Sequence, residues 1–195
     1  MTSILVVCTG NICRSPMAEG FLRDALGRRL GEGAPDVSSA GTAGWEGSPA
    51  MPESVDAAGE FDVDISGHRG RRLTIEMARG ADLLLCMATE HRDAIDSAAR
   101  DLGERTFTLK ELVRLLEVEP PDSVDEGFAV RLHAANAARR SGAVPPSRDD
   151  DIADPLGQPP EAYRAIAWEL HGWIGRLVDG LYGPIDRAGG VAAEA

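Results

Sequence analysis

Apolar positions along the chain fall into two textures: short unbroken runs, and longer stripes that recur every three or four residues. The first run, "SILVVC" (3–8), is rich in β-branched residues and predicts a strand buried on both faces. After it Ser15 is placed to cap a helix and Pro16 to occupy its first turn. Met17, Ala18, Phe21, Leu22, Ala25 and Leu26 then repeat at helical spacing, and the glycines from Gly27 to Gly33 are expected to close that helix. "DVSSAG" (36–41) reads as a second strand, followed by the loop "TAGWEGSPAMP" and a short helix over about 51–59. "ADLLLCMA" (81–88) and "RTFTL" (105–109) predict a third and a fourth strand, with a helix between them and another in "KELVRLLE". From Pro159 a last helix carries the stripe Tyr163, Ile166, Ala167, Leu170, Ile174, Leu177, Val178 and Leu181. Strand alternating with helix implies an α/β fold, with a parallel sheet, helices on both faces and right-handed crossovers.

The texture changes over 118–149, where two proline pairs bracket the helical stretch "VDEGFAVRLHAANAARRS". That stretch reads as an insertion or lid-like excursion within a single domain spanning 1–185, and 186–195 as a frayed tail. A length of 195 residues fits one such domain. No apolar run approaches the roughly 18 residues of a membrane span, and the opening residues lack the pattern of a secretory signal. The expected setting is therefore cytoplasmic, without membrane insertion. A net charge of -12 argues against a broad grip on nucleic acid, so any anionic ligand must be held locally. Three cysteines are too few for a disulfide scaffold, which leaves packing or reactivity as their uses.

Local holding is what "VVCTGNICRSPMAEG" (6–20) offers. Ligands of open α/β sheets collect beyond the carboxyl ends of strands, and Cys8 ends the first strand. The following loop runs into a helix N-terminus, where unpaired N–H groups and the macrodipole favour an anion. Gly10 tolerates a positive φ freely and Asn11 does so better than most, so the amides of Thr9 to Cys13 can turn inward as a nest. Arg14 would close the ring, its planar guanidinium gripping two oxygens of a phosphoryl group. The same groups favour a thiolate, so one cradle could activate Cys8 and hold the phosphoryl oxygens for its attack. The text lacks a Walker loop, a dinucleotide fingerprint and a second Cys/His pair for zinc, so neither a cofactor nor a metal is expected. A leaving oxygen needs a proton. Asp154 in "IADPLG" is one candidate, extended by the following proline and favoured in its protonated form beside a phosphate dianion, while Asp149, Asp150 and Asp151 compete for the role.

"VCTGNICRSPMAEG" together with the late "DP" resembles the low-molecular-weight protein tyrosine phosphatases, over residues 4–117 and 150–182. The resemblance implies the phosphotyrosine phosphatase I-like sheet, four parallel strands in the order 2-1-3-4, flanked by helices on both faces. It implies Cys8 as nucleophile, Arg14 as phosphate clamp and Asp154 as general acid and then base, through a phosphocysteine and without metal or cofactor. Thr9, Gly10, Asn11, Ile12, Cys13 and Ser15 become the phosphate-binding loop, with Ser15 assisting the thiolate. Asn11, Ser39 and His68 become its braces, Trp45 the wall against a phenyl ring, and Arg71 part of the element "HRGR". The implied partners are a phosphotyrosine protein or small aryl phosphate, with inorganic phosphate as product. Leu156, Gly157 and Gln158 follow Asp-Pro where the family often has aromatic residues, and the longer stretch 118–149 could shade the site.

Simpler roles exist for several of these residues. Trp45 could be only a surface aromatic, His68 a satisfied hydrogen-bonding residue, Trp168 and Trp173 packing groups, and Cys86 core. Cys13, so near a reactive thiol, could form a reversible disulfide with Cys8. Two other functions fit the same loop: an arsenate reductase, which would need relay cysteines, and a phosphotyrosine-binding module without turnover.

Overall fold

The computed structural model describes residues 2–118, 127–147 and 149–183. Four parallel strands, β1 (Ser3–Cys8), β2 (Asp36–Gly41), β3 (Leu83–Cys86) and β4 (Thr106–Thr108), form one sheet in the order β2-β1-β3-β4. Cys8 lies opposite Gly41 on one side, and Val7 opposite Cys86 on the other. The chain leaves β1 for β2 on one flank, then returns past β1 to β3. The switch point of the sheet is therefore the carboxyl end of β1, where a crevice opens.

Strand alternation divides the core into two layers. Ile4, Val6, Leu83 and Leu85 face a large cluster built with α1 (Arg14–Leu30), α2 (Pro52–Gly59), α5 (Leu109–Val118) and α7 (Pro160–Tyr182). Leu5, Val7, Leu84 and Cys86 face a smaller one with α3 (Ile75–Gly80) and α4 (Thr89–Ala98). Every residue of the predicted α7 stripe is buried. Cys86 is core, at 0% exposure. No helix among the described residues is long and apolar enough to cross a membrane.

Several local expectations are corrected. Helix α1 begins at Arg14 with Cys13 at its N-cap, so Ser15 lies inside the first turn and does not cap. As expected, the helix closes within the Gly27–Gly33 stretch, at Gly31, whose φ of 57° breaks it. The third and fourth strands are shorter than their apolar runs. Helix α3 was not foreseen: at six residues it is too short to show a period, although Thr74 marks its start by accepting from the Met77 N–H at 3.2 Å. Trp173 is packed against the core, whereas Trp168 is 65% exposed and meets Phe61 in a T-shaped contact.

The helix expected in the 118–149 stretch is α6 (Phe128–Ser141). It lies on α5 and α7, and Arg139 places its guanidinium 3.8 Å from the Phe107 ring of β4. None of the described residues of that stretch lines the crevice over Cys8. The expected tail lies outside the described residues.

Candidate active site

Residues 8–13 form the loop between β1 and α1, and their carbonyls explain its shape. The carbonyl of Cys8 accepts from Thr42 N at 2.9 Å, that of Thr9 from Ala43 N at 3.0 Å, and that of Gly10 from Trp45 N at 3.0 Å. The Asn11 carbonyl accepts from His68 Nε2 at 2.8 Å, and that of Ile12 from Met51 N at 2.8 Å. Every peptide among the described residues is trans, so each amide points away from its pinned carbonyl. The N–H groups of Thr9, Gly10, Asn11, Ile12 and Cys13 are thereby turned to the inner side. One of them, Asn11 N–H, donates to Cys8 Sγ at 3.2 Å. The Ser15 hydroxyl lies 2.9 Å from the same sulfur.

The turn that permits this is made by Asn11, at φ 56°. Gly10 does not use the positive φ open to it. Asn11 is fully buried, and its side chain ties three segments together. Its Nδ2 donates to Ser15 Oγ at 2.9 Å and to Ser39 Oγ at 2.8 Å, and its Oδ1 accepts from Arg71 N at 2.8 Å. Ser39 passes its own proton to Glu19 at 2.5 Å, and Arg71 donates to the Ser39 carbonyl from Nε at 3.2 Å and Nη2 at 2.8 Å. Gly41 is required by proximity, because a Cβ there would lie 2.4 Å from the Thr9 carbonyl oxygen.

Arg14 is 4% exposed, and its guanidinium faces three groups. Nη1 donates to the Ile152 carbonyl at 3.1 Å, while Nη2 donates to Thr9 Oγ1 at 3.2 Å and pairs with Asp154 Oδ2 at 2.6 Å. Cys8, Arg14 and Asp154 line one cleft of about 90 Å³, walled by Ile12, Trp45 and Leu156. Trp45 is 52% exposed and Leu156 42%, so the rim is apolar yet open. None of the rival acids lines the cleft: Asp150 is held by Arg114, Asp151 accepts from Thr89 N at 2.7 Å, and Asp149 lies outside the lining.

Burial, reinforced by the charges of Asp154 and Cys8, pushes the Cys13 thiol up to about 11. Behind the loop His91, 1% exposed, has its Nε2 2.9 Å from Thr9 Oγ1. Burial first and the charge of Arg14 second pull its pKa down to about 4, so the ring is neutral around pH 7. Chemically, the arrangement offers inward amides and a guanidinium for a tetrahedral anion, a sulfur beneath it and a carboxylate at its rim. Sequence reasoning missed the outer donors on 42–51, and it missed Glu19, Lys110, Arg114 and His91. No local signal marks the donors, since any residue has a backbone N–H.

A family model described as low molecular weight phosphotyrosine protein phosphatase matches residues 3–131. The chain is 40% identical over 119 residues to the low molecular weight protein-tyrosine-phosphatase Etp of Escherichia coli, covering 61% of this chain and 76% of that one. It is 34% identical over 178 residues to a protein-arginine-phosphatase of Geobacillus stearothermophilus, covering 91% and 95%. The crystal structure of a low molecular weight protein tyrosine phosphatase from T. tengcongensis superposes with a TM-score of 0.70 at 34% identity, covering 93% of this chain and 100% of that one. By a match that runs from β1 into α6, with relatives that extend it through α7, the chain belongs to the low molecular weight phosphotyrosine protein phosphatase family and is a phosphatase.

Proposed function

We propose that the protein hydrolyses phosphotyrosine through a phosphocysteine on Cys8. The amides of Thr9 to Cys13 and the Arg14 guanidinium hold the three equatorial oxygens of the phosphoryl group. Cys8 Sγ attacks phosphorus in line, the bond to the tyrosyl oxygen breaks, and Asp154 gives that oxygen its proton. Water then attacks the phosphocysteine while Asp154 takes up its proton. Inorganic phosphate leaves, and the Ser15 hydroxyl donates to the released sulfur. The chemistry needs a reduced Cys8, which suits a cytoplasmic setting. The observation that carries this reading is the convergence of Cys8, Arg14 and Asp154 on one cleft whose loop carbonyls are all bonded outward.

The arginine phosphatase among the relatives gives a second substrate its weight. Ile12, Trp45 and Leu156 wall the cleft with carbon, which suits a neutral aryl ring, and Asp154 is the one carboxylate in the lining that a guanidinium could pair with. Arsenate reduction by cysteine relay is disfavoured by Cys86, fully buried on the opposite face of the sheet from Cys8. A binding module without turnover would have no use for the carboxylate.

The test is single-turnover phosphate release from phosphotyrosine and phosphoarginine peptides by the parent, Cys8→Ser and Asp154→Asn. Turnover of phosphotyrosine by the parent and its loss in Cys8→Ser are expected. Preference for phosphoarginine would overturn the substrate assignment, and phosphate release by Cys8→Ser would overturn the mechanism. Trp45→Ala should lower kcat/KM on aryl phosphates by about two- to tenfold, the worth of one ring contact, and leave alkyl phosphates unchanged.

A further inference from the structure

We infer that Lys110 and Arg114 are positioning residues for Asp154, acting through the two aspartates that precede it; the inference rests on the proposed role of Asp154 as proton donor. Asp154 lies in a segment, 149–159, that has neither helix nor strand. Its own carboxylate bonds only Arg14 and, at 3.1 Å, Leu156 N, both within or beside the cleft. The dense anchoring of its backbone lies in the residues before it.

Those residues are held at three successive positions. Arg114 takes Asp150 with Nη2 2.7 Å from each carboxylate oxygen and Nε at 3.1 Å from Oδ1, and it adds Nη1 to the Pro145 carbonyl at 3.1 Å. The Asp150 side chain is 7% exposed, so this is a largely desolvated pair with fixed geometry. One helical turn earlier on α5, Lys110 donates to the Asp151 carbonyl at 2.8 Å and pairs with Glu169 of α7 at 2.6 Å. The Asp151 carboxylate accepts from Thr89 N at 2.7 Å and Thr89 Oγ1 at 2.8 Å at the start of α4. Ile152 N then donates to the Met87 carbonyl at 2.7 Å, beyond the end of β3. Two cations on one face of α5 thus fasten consecutive residues, and the chain has two residues left to reach Asp154.

Such a device matters to a proton donor because misplacement by about 1 Å can cost about a hundredfold in rate. It also bears on the run of acids: Asp150 and Asp151 are taken up by the clamp, and of the four aspartates only Asp154 lines the cleft with Cys8.

The test compares kcat/KM for phenyl phosphate, whose leaving group needs a proton, with that for p-nitrophenyl phosphate, whose leaving group departs as a stable anion. Arg114→Met should lower the first by about tenfold or more and the second far less, while inhibition by inorganic phosphate, which reads the Cys8 loop, stays unchanged. In an Asp154→Asn background Arg114→Met should add no further loss, because there is no donor left to misplace. Arg114→Lys should recover part of the activity. Lys110→Met gives the same comparison if Arg114→Met does not fold. Equal losses on both esters, or losses that add fully to Asp154→Asn, would overturn the clamp and leave the proton donor in place. An Asp154→Asn enzyme that treats the two esters alike would instead remove the proton donor, and the clamp with it.

Discussion

Asn11→Ala tests the loop where it is held most tightly. The substitution removes three buried hydrogen bonds, to Ser15, Ser39 and Arg71 N, each worth about 1 kcal/mol net. Ser15 keeps Cys8 as a partner and Ser39 keeps Glu19, so the orphaned group is the Arg71 amide. Alanine must also adopt the φ of 56° that Asn11 holds, at about 1 to 2 kcal/mol. Together these give a loss of about 4 kcal/mol, a large part of the stability of a single domain. Asn11→Gly separates the contributions, since it loses the same bonds but not the conformational freedom. It should be more stable than Asn11→Ala by about 1 kcal/mol while still well below the parent. Urea unfolding midpoints measure both differences, and vanadate inhibition reports whether the amides still face inward. A loss under about 1 kcal/mol in Asn11→Ala, or a glycine variant no more stable than the alanine one, would refute the reasoning.

Two further predictions concern titrating groups. His91 is neutral in the folded protein down to about pH 4 against an ordinary 6.5, so the unfolded chain binds the extra proton between those values. Stability should therefore be complete above pH 6.5 and fall by about 3 kcal/mol towards pH 4, and His91→Gln should flatten that slope in urea midpoints taken across the range. Cys13, raised to about 11 from 9.0, contributes in the opposite sense: its share is complete below pH 9 and is lost as pH rises to about 11. Being protonated at neutral pH, Cys13 should resist iodoacetamide there, as intact mass and peptide mapping would show. Peroxide should convert Cys8 to its sulfenic acid, which Cys13 then closes to a disulfide with loss of water, slowly at neutral pH and faster as pH rises towards 11; a tryptic map without the Cys8–Cys13 link at the higher pH removes that expectation.

What could be read from the chain alone was what lies close together in it. Cys8, Asn11, Arg14 and Ser15 fall within eight residues, and a strand of six followed by a helical stripe gives them their setting. The α7 stripe was equally plain, because 23 residues show their period many times over. The donors that turn the loop inside out were not legible. Thr42, Ala43, Trp45 and Met51 act through backbone N–H groups more than thirty residues away, and nothing in their side chains announces it. Residue type marked both Gly10 and Asn11 as able to take a positive φ, and it could not say that Asn11 alone of the two would do so. Four aspartates within six residues looked equivalent in "DDDIAD". They are told apart by Lys110, Arg114 and Thr89, which the fold delivers from other elements.

Arg14 is where the loop and the acid segment meet, and its bonds constrain how the proposed reaction begins. Nη2 cannot give its full hydrogen-bonding edge to a phosphoryl group while it also holds Asp154 at 2.6 Å and Thr9 at 3.2 Å. A carboxylate in that ion pair is likewise no proton donor. On the proposed reading, an arriving phosphate dianion competes for Nη2 and, by its own charge, favours protonation of the carboxyl it displaces. Arg14 Nη1 donates to the Ile152 carbonyl and not to Asp154, so on this reading the exchange at Nη2 need not release the backbone leading to Asp154. Substrate binding and arming of the acid are then one exchange at a single guanidinium, with the α5 clamp holding the backbone against which that exchange takes place.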